Sequence, residues 1–189
     1  CSVEHAVRRL GNEPVFTADA RVIRSADRVI LPGVGAAGAA MSRLNELGLV
    51  DCIRALTQPV LGICLGMQLL FEQSEEDQVG DQKVACLGII PGTLTKLEAS
   101  QGLRVPHMGW NTTTVVKPDA LLDGLPENPW FYFVHSYCAP LSDFTIATSC
   151  HGQTFTAIVK KDNFYGAQFH PERSAKSGAQ LLANFMEMQ

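Results

Sequence analysis

Hydrophobic and polar positions change in short blocks along the first third of the chain. Residues 2–11 place their apolar side chains on one helical face before a glycine stop. The run PVLGI at 59–63 is apolar throughout, which is typical of a strand buried on both faces. Short β-like runs at 13–18 and 26–35 and helical spacing over 36–48 complete the alternation. This order favours a parallel sheet with helices on both sides.

The pattern changes in the second half of the chain. From Leu87 to Cys150 it consists of short β-rich segments separated by turn residues. Residues 154–170 predict a hairpin that turns at 161–163, and residues 174–188 predict a closing helix. No repeat, low-complexity tract or linker interrupts the 189 residues, which suit one α/β domain.

Composition and charge exclude several classes of function. The 15 basic and 19 acidic residues are mixed along the chain, so we expect no nucleic-acid partner. The longest apolar stretch, 60–71, is too short to span a bilayer, so we expect no membrane partner. The six cysteines have no zinc-like spacing. We therefore expect a reduced, cytoplasmic protein without a metal or other cofactor.

One cysteine stands at a predicted bend. The segment LGICLG has the form G-x-C-x-G and places Cys64 between the buried strand and a following helical segment. Serine hydrolases use this pattern for a nucleophile elbow, where glycines permit a sharp turn and close approach of neighbouring chain. Free N–H groups at the helix start favour a thiolate and can hold an oxyanion. From the spacing alone, a small buried core cysteine is an equally good interpretation.

A nucleophilic thiol needs a base, and the base needs an orienting group. His170 follows a predicted strand in GAQFHPE, and Glu172 lies two residues further on. In an extended segment these side chains would point the same way, so the carboxylate could bind Nδ1 and leave Nε2 for the thiol. The alternative is a solvated strand end.

A second set of oxyanion donors could come from the loop LPGVG at 31–35. This loop follows a predicted parallel strand, so it should lie at the same sheet edge as Cys64. The alternative interpretation of residues 31–35 is an ordinary turn without a role in binding.

Five segments together resemble a known family. In order they are PGVG, GICLGMQLL, PHMGWN, FYFVHSY and NFYGAQFHPERS, and they extend over nearly all of the chain. They resemble the class I glutamine amidotransferases, and among these the glutaminase subunits of imidazole glycerol phosphate synthases in histidine biosynthesis. Relatives from other pathways usually carry histidine at the position of Met67. The resemblance implies a single-domain fold over 1–189, with a mixed, mostly parallel sheet flanked by helices and a β-rich second half.

The resemblance also implies a reaction. L-Glutamine would be hydrolysed to glutamate and ammonia through a γ-glutamyl thioester on Cys64, with His170 as base and acid and Glu172 orienting it. The implied oxyanion donors are Leu65 and the loop residues Gly33, Val34 and Gly35. The positions that match the family's glutamine contacts are Gly35, Gln68, Glu76, His135, Ser136 and Tyr137. Each of these residues also has a purely structural interpretation. Gln68 and Glu76 would lie on a solvated helix face and at its exit, and residues 135–137 would form a strand edge.

The implied partner is a separate chain. Ammonia must pass directly to a synthase, because in water it is mostly protonated and unreactive. In the resembled enzymes the glutaminase forms a heterodimer with a (β/α)₈-barrel cyclase, which makes imidazole glycerol phosphate and aminoimidazole carboxamide ribotide. The residues that match motifs near the shared face are His107, Met108, Trp110, Asn111 and Arg173. The alternative for Met108 and Trp110 is a place in the core.

The chain departs from the family pattern at its start. The family begins with a strand and a polar turn before the first helix, and this sequence lacks that strand. We expect a trimmed or partly disordered N-terminus rather than a protein whose sheet has lost a member. Two other classes of function stay open: a stand-alone cysteine hydrolase of a related elbow fold, such as a γ-glutamyl peptidase, and a catalytically silent binding module.

Overall fold

Helices and strands alternate early in the chain, and strands dominate later. The computed structural model describes residues 2–98 and 102–189. Within them the helices are α1 (Ser2–Arg9), α2 (Ala20–Ser25), α3 (Ala37–Glu46), α4 (Val50–Arg54), α5 (Leu65–Leu69) and α6 (Ala175–Glu187), with 3-10 turns at Ala120–Leu122 and Pro171–Arg173. The strands are β1 (Val29–Gly33), β2 (Val60–Cys64), β3 (Phe71–Val79), β4 (Gln82–Ala85), β5 (Ile90–Lys96), β6 (His107–Thr112), β7 (Thr114–Val115), β8 (Trp130–His135), β9 (Tyr137–Cys138), β10 (Thr145–His151), β11 (Gln153–Lys161) and β12 (Phe164–Ala167).

The central sheet has six strands in the order β1-β2-β12-β11-β10-β7. Strand β2 lies between β1 and β12 and is parallel to both. Burial on both faces matches its apolar sequence, since all five residues of β2 are buried. The carboxyl end of β2 is therefore held on two sides, which makes it a rigid base for a functional side chain.

The sheet is mixed, as predicted, but the expectation of a mostly parallel sheet is wrong for this layer. Strands β12, β11, β10 and β7 pair antiparallel, so only two of the five neighbouring pairs are parallel. The reason is the β11–β12 hairpin, which reverses the chain directly and needs no helical crossover. Two smaller sheets, β4-β3-β5-β9 and β6-β8, contain the remaining strands of the described residues.

Most predicted elements are present, and two are not. Helices α1, α3 and α6 and the hairpin between β11 and β12 confirm the sequence pattern. Residues 13–18 form no strand, and Val15 and Phe16 are 73% and 80% exposed. The helical segment predicted after Cys64 is short: α5 ends at Leu69, and β3 occupies the residues up to Glu76 that the alternative interpretation placed on a helix and its exit. Strand β3 pairs with β4 and β5, so tertiary pairing outweighs local helix propensity there.

Two apolar clusters fill the two sides of the central sheet's parallel half. One contains Leu61, Ile63 and Phe169 with helices α1 and α6, and the other contains Val60 and Met67 with helices α3 and α4. Within the described ranges, none of the helices is long and apolar enough to cross a membrane.

Candidate active site

Cys64 occupies a sharp bend between β2 and α5. Its backbone has φ 53° and ψ −111°, an unusual conformation for a residue with a side chain. The residue is only 9% exposed, and its sulfur lies 3.7 Å from the carbonyl oxygen of Val134. Backbone strain of this kind persists only where the surrounding structure stabilises it, so the packing around the bend holds this thiol at the sheet edge.

The glycines around Cys64 permit that bend. A Cβ atom on Gly66 would lie 1.8 Å from the carbonyl oxygen of Leu31 in β1. A Cβ atom on Gly62 would lie 2.6 Å from the carbonyl oxygen of Gly66. Neither distance is possible between real atoms, so both positions require glycine and the G-x-C-x-G pattern has a direct steric cause.

His170 and Glu172 are in contact, although not in the way that we expected. His170 Nδ1 lies 3.0 Å from Glu172 Oε1. The expected extended segment is wrong, because residues Pro171–Arg173 form a 3-10 turn. Proline at the first position of the turn fixes its backbone angle, and Ser174 Oγ donates to the His170 carbonyl at 2.6 Å. The turn, rather than strand alternation, brings the carboxylate back to the imidazole.

The charge state of His170 is set by competing effects. Burial disfavours the charged imidazolium, but hydrogen bonds to Cys64 and Glu172 and the charges of both groups outweigh it and raise the pKa of His170 to about 9. Glu172 Oε2 is buried and has no hydrogen-bond partner among residues 2–98 and 102–189. The carboxylate therefore interacts chiefly with His170, in an arrangement suited to orienting a base.

Replacing Glu172 with glutamine is expected to lower the pKa of His170, because a negative charge that favours the imidazolium is lost. In the wild type, protonation of His170 adds stability that is complete below the ordinary pKa of 6.5 and is lost as pH rises through about 9. A shift of that size corresponds to at most about 3 kcal/mol of unfolding free energy. In the variant, NMR titration of the ring and urea unfolding should both show the change at lower pH. An unchanged His170 titration would contradict the assigned contact.

The PGVG loop lies directly against the elbow. Gly33 is the last residue of β1 and pairs in register with Cys64. A Cβ atom on Gly33 would lie 2.8 Å from the Gly66 nitrogen and 2.8 Å from the Leu65 Cβ atom. Val34 is 88% exposed, so its side chain points to solvent. Gly35 has φ +96°, which suits glycine, and it leads into helix α3.

A pair of buried amides lies beside the thiol. Gln68 is 5% exposed, so it does not lie on a solvated helix face. Its Nε2 donates to the carbonyl oxygen of Tyr137 at 2.9 Å and to Oε1 of Gln168 at 3.0 Å. Gln168 Nε2 in turn lies 3.9 Å from the Cys64 sulfur. Gln168 was not predicted as a site residue; its one signal in the sequence is its place two residues before His170.

Three other predicted glutamine contacts, Glu76, Ser136 and Tyr137, lie on or beside strands β3, β8 and β9. Glu76 belongs to β3, not to a helix exit, and its Oε2 accepts from the Ala37 nitrogen at 2.9 Å. Burial, partly offset by that hydrogen bond, raises the pKa of Glu76. The pKa of Tyr137 is also raised, by burial and by the charge of Glu76. Ser136 lies between strands β8 and β9, and its carbonyl accepts from the Leu97 nitrogen at 2.8 Å.

The motif residues on β6 divide between two faces. Met108 and Trp110 are 63% and 49% exposed, so their alternative as core residues is excluded. His107 is 4% exposed and faces inward, which corrects our expectation that it lies at a partner-facing surface. The reason is strand alternation, which sends neighbouring side chains to opposite faces. Asn111 is half-buried on the inward side, where its Nδ2 lies 3.2 Å from His107 Nε2.

The outward side of the β6–β8 sheet is apolar. Here we call it the apolar face and define it by Met108, Trp110, Trp130, Tyr132 and Val134, which the strand register places together. The Arg173 guanidinium lies 5.7 Å from the centre of the Tyr132 ring, next to this face. The three residues on β8, Trp130, Tyr132 and Val134, were not predicted to lie on a partner surface. Contiguous exposed apolar side chains of this kind often mark a contact surface.

A nucleophile elbow, a His–Glu pair and a glycine loop packed against the elbow at one sheet edge define a class of protein. Residues 2–188 match the family model described as glutamine amidotransferase class-I, and the chain belongs to this family. Two solved structures have the same fold. A structure described as a glutamine amidotransferase has a TM-score of 0.73 at 19% identity and covers 98% of this chain and 91% of its own. A glutamine amidotransferase from Thermotoga maritima has a TM-score of 0.67 at 15% identity, covering 98% and 90%.

Within the family, the chain is similar over almost its whole length to proteins named imidazole glycerol phosphate synthase subunit HisH. The protein from Xanthomonas euvesicatoria pv. vesicatoria (strain 85-10) is 54% identical over 187 residues, which covers 99% of this chain and 91% of that protein. The protein from Xylella fastidiosa (strain Temecula1 / ATCC 700964) is 52% identical with the same coverage.

Proposed function

We propose that this chain hydrolyses L-glutamine to glutamate and ammonia as the glutaminase subunit of an imidazole glycerol phosphate synthase in histidine biosynthesis, in the cytoplasm. One observation carries the proposal: a strained cysteine on a glycine elbow lies within hydrogen-bonding reach of a histidine whose other ring nitrogen meets a buried carboxylate. The similarity to HisH proteins supports the pathway.

The first half of the proposed reaction forms a thioester. Proton transfer from Cys64 to His170 gives a thiolate beside an imidazolium, the charge state that the raised pKa of His170 favours. The sulfur attacks the side-chain carbonyl carbon of glutamine. The resulting oxyanion would be bound by backbone N–H groups of Leu65 and of the loop Gly33–Gly35, with Val34 contributing only its main chain. His170 then protonates the departing nitrogen, and ammonia leaves.

The second half frees glutamate. His170, neutral again, takes a proton from water, and the hydroxide attacks the thioester carbon. Collapse of the second tetrahedral intermediate breaks the carbon–sulfur bond and restores Cys64. Glu172 holds the imidazole by its Nδ1–H bond during both halves and stabilises each imidazolium that forms.

Specificity for glutamine would come from polar groups around the thiol. The proposed contacts are Gly35, Gln68, Glu76, His135, Ser136 and Tyr137. The half-buried Glu76 carboxylate suits the substrate ammonium group, because a partly desolvated negative charge without a cationic partner among the described residues favours a cation. Backbone and amide donors near Gln68 and Ser136 suit its carboxylate.

The proposed partner is a (β/α)₈-barrel cyclase subunit, which would form a heterodimer with this chain and receive the ammonia. The apolar face, which includes Met108 and Trp110, and the adjacent Arg173 form the surface that we assign to this partner. Asn111 and His107 lie behind this surface on the inward side of β6. Exposed tryptophan and arginine are the residues most often found at the energetic centre of such interfaces.

The assay that tests the function measures glutamate release from L-glutamine by this chain alone, and with the cyclase subunit from the same organism and its ribotide ligand. We expect activity that depends on the partner. Full activity of the chain alone would instead favour a stand-alone cysteine hydrolase such as a γ-glutamyl peptidase. Absence of hydrolysis in both conditions would favour a catalytically silent binding module.

Replacing Trp110 with alanine is expected to weaken binding of the cyclase subunit, because a large half-exposed ring on the apolar face is lost. Truncation of an anchoring tryptophan commonly costs about 2 kcal/mol or more, which raises Kd about 30-fold. Leu141→Ala is the control, since Leu141 is 54% exposed but lies outside the apolar face. Calorimetric titration should separate the two variants; equal Kd values would place the interface elsewhere.

A further inference from the structure

Two buried histidines join the strand that carries the apolar face to the candidate glutamine site. His107 on β6 and His135 on β8 are paired in register, and His107 Nδ1 lies 2.9 Å from His135 Nε2. The other nitrogen of His135, Nδ1, lies 2.9 Å from the carbonyl oxygen of Tyr137. At the opposite end, Asn111 Nδ2 lies 3.2 Å from His107 Nε2.

The groups at the two ends of this series, the Tyr137 carbonyl and the Asn111 amide, fix the direction of each hydrogen bond between them. A carbonyl oxygen only accepts, so Nδ1 of His135 must carry a proton, and Nε2 of the neutral ring accepts. Nδ1 of His107 must then donate to it, which leaves Nε2 of His107 to accept from Asn111. Asn111 is itself oriented, because its Nδ2 donates to the Cys150 carbonyl and its Oδ1 accepts from the Thr112 nitrogen, both at 2.8 Å.

This arrangement requires both rings to be neutral, with the proton on Nδ1. Burial and the neighbouring histidines lower the pKa of His107 to about 3. Burial also lowers the pKa of His135 to about 4, although the bond to Tyr137 opposes the shift. Free histidine prefers the other neutral tautomer, so this pair is held in a form that the network selects.

The Tyr137 carbonyl is the point where the histidine pair meets the site around the thiol. The same oxygen accepts from Gln68 Nε2 at 2.9 Å, and Gln68 continues through Gln168 to the sulfur of Cys64. A shift of His135 would therefore move an acceptor that Gln68 shares. Both His107 and His135 are 6% exposed or less, so water cannot easily replace a lost bond.

We propose that His107, oriented by Asn111, is a positioning residue for glutamine binding: its donated hydrogen bond holds the His135 ring, and with it the Tyr137 carbonyl and the Gln68 amide, in the geometry that accepts the substrate. The proposal rests on the proposed function. It also gives β6 two roles, because Trp110 projects from the opposite face of the strand that carries His107.

A pair of substitutions separates the hydrogen bond from packing. His107→Phe keeps a flat ring that can stack on His151 and Phe133, whose ring centres lie 4.2 and 4.9 Å from that of His107, but removes both polar nitrogens. His107→Asn loses the ring but retains an N–H donor near the Nδ1 position. In complex with the cyclase subunit, we expect KM for glutamine to rise about tenfold in the phenylalanine variant with a smaller change in kcat. The asparagine variant should recover most of the loss.

Imidazole ¹⁵N NMR of the uncomplexed chain gives an independent readout. In the wild type both rings should appear as the Nδ1–H tautomer, and in His107→Phe the His135 signals should show a mixture of tautomers. An unchanged KM in His107→Phe, equal losses in both variants, or Nε2–H tautomers in the wild type would overturn the proposal. A wild-type complex that does not hydrolyse glutamine would overturn the proposed function instead, and the tautomers would still report on the hydrogen bonds.

Discussion

Replacing Cys64 with alanine is expected to abolish glutamate release, with a fall in kcat of about 10³-fold or more. Without the sulfur, no thioester can form, and His170 has no thiol to deprotonate. The backbone donors at the elbow remain, so any residual rate would be direct attack by water on bound glutamine. The measurement is glutamate release by the complex with the cyclase subunit at saturating glutamine.

Cys52→Ala is the matched control, because Cys52 is also a buried free thiol but belongs to helix α4, away from the elbow. Its loss should cost about 1 kcal/mol of stability and leave the rate unchanged. Mass spectrometry of the wild type quenched during turnover should show a γ-glutamyl adduct on the peptide that contains Cys64. Normal glutamate release by Cys64→Ala would contradict the proposed mechanism, because no thioester could form in that variant.

The elbow could be predicted from sequence because its causes are local. A five-residue strand without polar side chains has to be buried on both faces, and glycines on either side of Cys64 are needed wherever a sharp turn meets neighbouring backbone. The contact of His170 with Glu172 was predictable for a similar reason, since only Pro171 separates them. The conformation was not, because a 3-10 turn and an extended segment can both bring such close residues together.

Long-range pairing explains what could not be predicted. Residues 71–79 follow an apolar helical start, yet they form β3 because β4 and β5 are available as partners. The order of strands in the central sheet likewise depends on contacts between distant segments. Hydrophobic periodicity records which side chains are buried, not which strand lies beside which. Beyond the predicted hairpin at 161–163, it therefore did not show that β10 and β7 continue the sheet antiparallel.

The inward face of β6 shows the same limit within the site. The PHMGWN motif indicated a contact surface, and the alternation of Met108 and Trp110 with buried residues was available from the strand period. What His107 meets was not available, because His135 belongs to another strand 28 residues later. The role of Gln168 was not predicted for the same reason, because its partner Gln68 lies 100 residues earlier in the sequence. Buried polar networks are built from such distant pairs, so sequence patterns identify their members without their connections.

Replacing Gly66 with alanine is expected to prevent stable folding, and among the glycines around Cys64 this one is the most sharply constrained. The added Cβ would lie 1.8 Å from the carbonyl oxygen and 2.8 Å from the carbonyl carbon of Leu31. Both atoms are main chain in β1, which is paired with β2 along its length, so neither can move without breaking the sheet. We expect a loss of more than about 4 kcal/mol of unfolding free energy, measured by urea denaturation.

Gly80→Ala provides the comparison that separates overlap from backbone strain. Gly80 has φ +59°, which disfavours a side chain, but its Cβ would meet no atom within 4 Å. Its substitution should cost about 1–2 kcal/mol. If Gly66→Ala were no less stable than Gly80→Ala, then β1 and the elbow could separate at little cost. The PGVG loop would in that case not be held against Cys64 by packing, and its proposed part in binding the oxyanion would lose its structural basis.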